Sequence, residues 1–143
     1  MIKAKVLFLC TGNSARSQMA EAFLKKYGGG QYDAYSAGTE PKGINSYTNR
    51  VMGEVGINLR GQYSKHVKEY MGKVHLGYLI TLCGLAEESC PTTFPGIGQR
   101  LHWLFENPSA FIGSEDERLA KFREVRNQIE QRIKSWLVDA QNR

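Results

Sequence analysis

The stretch Ala4-Lys5-Val6-Leu7-Phe8-Leu9-Cys10-Thr11-Gly12-Asn13-Ser14-Ala15-Arg16-Ser17 passes from an apolar run into a polar turn, and a helical pattern follows it. Ala4 to Leu9 reads as a strand buried on both faces. From about Ser17 to Tyr27 the apolar residues Met19, Ala20, Phe23, Leu24 and Tyr27 recur at helical spacing. A strand, a glycine-containing loop and a helix in this order aim successive backbone N–H groups at one point, and the helix start adds positive potential. Residues 10 to 17 therefore read as a cradle for a tetrahedral oxyanion such as phosphate or arsenate.

Each position in the loop has a chemical reason. Thr11, Gly12, Asn13, Ser14, Ala15 and Arg16 supply the oxyanion-binding turn, and Gly12 is expected to take the positive φ that a tight nest needs. Arg16 offers a planar fork able to grip two oxygens, more strongly in an expanded transition state. Ser17 can give its hydroxyl proton to the Cys10 sulfur. That bond, the amides and the helix start favour the thiolate, which is the attacking form. Taken singly, a cysteine after a strand is usually a small buried hydrophobe and an arginine near a helix start a surface charge. Together they form Cys-x5-Arg-Ser in the right setting. No Gly-Lys-Ser/Thr follows, so this is not a nucleoside triphosphate loop.

Working outward, Gln31 to Ser36 reads as a second strand, Ser46 to Val55 as a helix with Ser46 as a possible cap, and Gly77 to Leu82 as a central strand. His102 to Phe105 is read as a short fourth strand. Ser114 caps the last helix, Glu115, Asp116 and Glu117 suit its positive end, and Leu119, Phe122, Val125, Ile129, Ile133 and Trp136 form its apolar stripe. The alternation predicts an α/β fold, a parallel sheet flanked by helices, in a single domain spanning residues 1 to 143. Ligands bind such sheets beyond the carboxyl ends of the strands, where Cys10 stands.

The 143 residues carry a net charge of +5 with no block of like charges, so no nucleic-acid partner is expected. The apolar run Val6 to Leu9 is too short for a signal peptide or a membrane span, which predicts a cytoplasmic protein without membrane association. Three cysteines, Cys10, Cys83 and Cys90, argue against a structural disulfide framework. Cys83 closes a predicted strand, so it should share the sheet edge with Cys10. Cys90 lies seven residues on, and the two could form a disulfide if the intervening segment bends. A buried thiol and an incidental thiol remain the plainer readings. A zinc pair is disfavoured by the spacing, and no metal is expected.

Residues Cys10 to Glu21 resemble the signature of low-molecular-weight protein tyrosine phosphatases and of the thioredoxin-coupled arsenate reductases that share their fold. The resemblance continues through Tyr35-Ser36-Ala37-Gly38, Thr81-Leu82-Cys83, His102-Trp103 and the last helix. It implies a four-stranded parallel sheet. The three cysteines are similar to those of the arsenate reductases, whereas the typical phosphatase has a second cysteine in the loop where this chain has Ala15. The resemblance then implies a cascade without a bound cofactor: Cys10 attacks arsenate, Cys83 attacks Cys10 and expels arsenite, Cys90 takes over the disulfide, and thioredoxin resets it. Arg16 and Ser17 complete the catalytic set.

Two departures accompany the resemblance. Relatives place an Asp-Pro near the fourth strand as general acid, and the matching pair here is Asn107-Pro108; the adjacent Glu106 is the alternative acid, although neighbouring side chains on a strand point apart. A carboxamide cannot donate a proton as an acid does. Related reductases also hold potassium beneath the loop with residues matching Asn13, Glu21 and Ser36, but their aspartate is Lys65 here. Lys65 is therefore expected to replace the ion with a tethered ammonium. A phosphatase for phosphotyrosine or small phosphomonoesters is the competing reading, and a non-catalytic oxyanion or redox sensor is a third.

Overall fold

The computed structural model describes residues 2–82 and 96–141. Strand β1 (Ala4–Cys10) leads through the loop to helix α1 (Arg16–Gly28), then β2 (Tyr32–Gly38), α2 (Ser46–Glu54), β3 (Leu76–Thr81), β4 (Ile97–His102) and the long α3 (Glu115–Gln141). Short 3-10 turns lie at Val67–Glu69 and Pro108–Ala110. The four strands form one parallel sheet in the order β2-β1-β3-β4, as the resemblance implied. Register pairs Cys10 with Gly38, Leu9 with Thr81 and Thr81 with His102. The carboxyl ends of the strands thus meet along one edge, with Cys10 in an inner position.

β1 is apolar on both faces because both faces are covered: Val6, Leu7, Phe8 and Leu9 are fully buried. Helix α1 packs on β1, β2 and α3. Its first nine residues, polar Gln18 and Glu21 included, are buried, since the segment around Gln62–Lys65 closes over its exposed side. The expected apolar stripe of α3 is buried throughout. Trp136 anchors it to the sheet through Tyr32 and Tyr78, with ring centroids 5.0 and 5.1 Å away. Ser114 and Glu117 form a reciprocal capping box at its start. Arg123 and Arg126 join α3 to Glu54 at the end of α2. The Arg123 hydrogen bond, aided by Arg126, holds the Glu54 carboxyl at about 2.

Three local expectations change. The fourth strand is Ile97–His102, not His102 to Phe105. As an edge strand it exposes Gly98, Gln99 and Arg100, so it lacks the apolar signature of the inner strands. The alternation of buried Trp103 and Phe105 with exposed Leu104 and Glu106 is real, but it belongs to the extended segment after the ladder. There the Trp103 and Phe105 amides still donate to the Thr81 and Leu82 carbonyls. At α2 the cap is Asn45, whose side chain accepts from Tyr47 N at 2.8 Å, one residue before Ser46. The third change lies in the loop itself. No helix among the described residues is long and apolar enough to cross a membrane.

Candidate active site

The loop holds its shape because its carbonyls are all engaged on the outside. The Cys10, Thr11, Gly12 and Ser14 carbonyls accept from the amides of Thr39, Glu40, Lys42 and Asn45. Ser64 Oγ and Thr48 Oγ1 add bonds to Gly12 and Ser14, and Gln18 Nε2 takes the Asn13 carbonyl at 3.1 Å. In a trans peptide the next N–H points opposite to the C=O. Turning the carbonyls outward therefore turns the following N–H groups inward, toward a cavity of about 350 Å³ lined by Cys10, Thr11, Gly12, Ser14, Ala15 and Arg16. The cavity stands at the start of α1, where the helix end favours an anion.

The positive φ predicted at Gly12 is found at Asn13, at 48°. Asparagine is one of the few side chains tolerated there, and here it is fixed by its own hydrogen bonds. Asn13 Oδ1 accepts from Lys65 N at 3.0 Å, and Asn13 Nδ2 donates to Ser17 Oγ at 2.8 Å. Gly38 is needed for a different reason. A Cβ there would lie 2.5 Å from the Thr11 carbonyl oxygen, so only glycine lets β2 pass this close to the loop.

Cys10 is 2% exposed and forms the cavity floor. Its Sγ lies 2.9 Å from Ser17 Oγ. Either atom can donate across that contact; with Cys10 as the attacking thiolate the proton is that of Ser17, whose oxygen also accepts from Asn13. Arg16 is also buried, and its Nη1 donates to the Phe105 carbonyl at 3.3 Å. That bond ties one arm of the fork to the segment after β4, while Arg16 lines the cavity. We predict that Arg16→Lys keeps the fold and loses at least tenfold in kcat/KM, or about 1.4 kcal/mol. An activity within threefold of the parent would show that the fork is not the transition-state clamp.

At the mouth stand Glu40, Lys42, Asn107 and Ser109. Asn107 lines the cavity, but its Oδ1 is used to cap the turn at Ser109 N, 3.0 Å away. Glu106 does not line the cavity, and its carboxylate pairs with Lys121 at 3.3 Å. Beneath the loop, Glu21 accepts from Ser36 Oγ and from Lys25 Nζ, both at 2.5 Å. Lys65 is buried there too, but its Nζ donates to the Tyr63 carbonyl at 2.7 Å rather than to Glu21. Burial pushes the Lys65 ammonium down from its ordinary value, while Glu21 and Glu69 pull it up. The structure thus brings together Asn13, Glu21, Ser36 and Lys65, and adds Lys25. The Glu21–Lys25 spacing of four on a helix was the available signal for that pair. Glu40, Lys42 and Ser109 were not singled out from the sequence. Cys83 and Cys90 lie outside the described residues.

Residues 5–143 match the family described as low molecular weight phosphotyrosine protein phosphatase. The chain belongs to that family. Within it, this phosphatase-family chain is 44% identical over 137 residues to an arsenate reductase of Halalkalibacterium halodurans, covering 95% of this chain and 96% of that one. Among solved structures, it superposes on an arsenate reductase in the phosphate binding state with a TM-score of 0.74 and 30% identity, covering 95% and 98% of the two chains. It also matches a thioredoxin-dependent arsenate reductase of Corynebacterium glutamicum with a TM-score of 0.73 and 27% identity, covering 97% of this chain and 62% of that one.

Proposed function

We propose that this chain reduces arsenate to arsenite, with Cys10 as nucleophile and a Cys83–Cys90 relay reset by thioredoxin. The observation that carries the reading is the Cys10 sulfur at the floor of an oxyanion cradle whose mouth presents the Asn107 carboxamide where relatives are expected to hold an acid. Arsenate reductases aligned with this chain over nearly its whole length support the choice.

The chemistry follows from these positions. The Cys10 thiolate attacks arsenic, and one arsenate oxygen leaves as water, forming a sulfur–arsenic bond. The inward N–H groups and the Arg16 fork stabilise the charge that builds on the remaining oxygens. Cys83 as thiolate then attacks the Cys10 sulfur. The electron pair of the sulfur–arsenic bond passes to arsenic, reducing it from the +5 to the +3 state, and arsenite departs. Cys90 attacks Cys83 and frees Cys10, and a thioredoxin dithiol reduces the Cys83–Cys90 disulfide. All electrons come from thiols, so no bound redox cofactor is needed. Such a relay needs a reducing compartment, and we place the protein in the cytoplasm on that ground.

Asn107 bears on substrate choice. A phosphoester leaves as an alkoxide and needs a proton from the enzyme. Arsenate near neutral pH carries protons of its own, so its leaving oxygen can depart as water without a protein acid, more slowly than with one. The test is an assay pair: arsenate-dependent NADPH oxidation with thioredoxin and its reductase, beside hydrolysis of p-nitrophenyl phosphate. Arsenate should drive NADPH oxidation, with ester hydrolysis at least 100-fold less efficient. Efficient hydrolysis without arsenate-dependent oxidation would replace this reading with the phosphatase.

We further propose that the basin beneath the loop needs no bound monovalent cation. Lys25 and Lys65 bring two ammonium groups to the cavity that contains Glu21, supplying as tethered charges what an ion would supply. Turnover and melting temperature should be the same in potassium, sodium and choline salts at equal ionic strength, and Lys65→Asp should introduce potassium dependence. Clear stimulation of the parent by potassium would overturn this.

A further inference from the structure

Lys42 reaches the active-site loop from outside the signature. Its amide donates to the Gly12 carbonyl at 2.9 Å. Its side-chain stem lies over Gly12, with Cδ and Cγ 3.6 and 3.8 Å from where a Gly12 Cβ would stand. The stem thus covers the loop glycine with ordinary van der Waals contact, and Lys42 lines the cavity. Among the described residues, the Lys42 ammonium has no ion-pair or hydrogen-bond partner, in contrast to Lys25 and Lys121. Glu40, also on the cavity wall, likewise has none for its carboxylate.

The charged side chains that line the cavity beside Cys10 are Arg16, Glu40 and Lys42. A Cys10 thiolate and the Glu40 carboxylate are negative, and Arg16 is positive. With those three alone, a multiply charged oxyanion would approach a site of net negative charge. Lys42 brings the lining to neutrality before the loop N–H groups add their partial positive charge. Cys10 lies at the buried floor, while Glu40 and Lys42 are exposed. In an in-line attack the oxygen opposite the sulfur, which faces the mouth, is the one that leaves as water, so a charge at the mouth acts on capture of the anion rather than on an oxygen that stays bound. We infer that Lys42 is a further oxyanion-binding residue of this site, recruiting the incoming anion and balancing its charge at the mouth. The inference rests on the oxyanion-cradle reading of the loop, and it deepens the proposed reaction by adding a charge that the signature does not contain.

The experiment uses the reduced full-length protein and reads two quantities. The first is the dissociation constant of inorganic phosphate by calorimetry, at low and high sodium chloride. The second is KM and kcat for arsenate with the thioredoxin system. Lys42→Met keeps the stem over Gly12 and removes the charge. It should weaken phosphate binding and raise KM at least fivefold, with a smaller change in kcat and a flatter dependence on salt, as expected for a charge at the rim. Lys42→Arg should restore binding, and Lys73→Met, at an exposed lysine away from the cavity, should match the parent. If Lys42→Met binds phosphate within twofold of the parent at both salt concentrations, or if Lys42→Arg is as weak as Lys42→Met, the inference is overturned. A parent that binds phosphate but does not turn over arsenate would refute the proposed reaction while leaving the Lys42 comparison intact.

Discussion

Cys10→Ser should fold normally, bind phosphate and fail to reduce arsenate. The serine oxygen can occupy the cavity floor, but it stays protonated at neutral pH, and neither Ser17 nor Asn13 is a base that could deprotonate it. The loss is also one of stoichiometry. Without a sulfur at position 10 there is no partner for the first disulfide, so the two electrons that arsenic requires cannot be delivered along this route. We expect kcat/KM to fall by at least 10⁴, about 5 kcal/mol of transition-state stabilisation. Quantifying arsenite after long incubation, beside circular dichroism to verify the fold, checks this. More than 1% of parental turnover would remove Cys10 from the nucleophile's role.

Cys90→Ser should behave differently: one rapid round and then a stop. The first attack and the release of arsenite need only Cys10 and Cys83. Resetting the site needs a third thiol to move the disulfide away from the buried floor, because thioredoxin must reach a sulfur to exchange with it, and Cys10 is 2% exposed. Rapid-quench measurement should give a burst of about one arsenite per chain, followed by steady turnover at least 100-fold below the parent. Sustained thioredoxin-driven turnover would mean that the relay has been assigned wrongly.

What the sequence revealed depended on how local the determinants are. The β1-loop-α1 unit lies within 25 consecutive residues, and each step has its own signal: apolar run, turn, helical spacing. The α3 stripe and its Ser114 cap were readable for the same reason. β4 was displaced because an edge strand exposes its side chains and needs little apolar patterning, while Trp103 and Phe105 mimic a strand just after it. Placing the positive φ at Gly12 followed a sound rule, but Asn13 takes it because its side chain bridges Lys65 N and Ser17 Oγ, contacts that arise only when distant segments pack. Lys42 and Glu40 were invisible in the same way. They reach the cavity because their amides bond the Gly12 and Thr11 carbonyls, an arrangement that no spacing along the chain encodes. Glu106 was weighed because it neighbours Asn107, and the structure turns it to Lys121 instead.

On the proposed route the Cys10 sulfur takes arsenic and passes the oxidation to Cys83. The most direct test is disulfide mapping by mass spectrometry on Cys90→Ser, reduced, treated with one equivalent of arsenate and trapped by alkylation. A Cys10–Cys83 disulfide in near-stoichiometric yield, with the arsenite released, is the expected result. Recovery of Cys10 as a free, alkylated thiol alongside arsenite would contradict it.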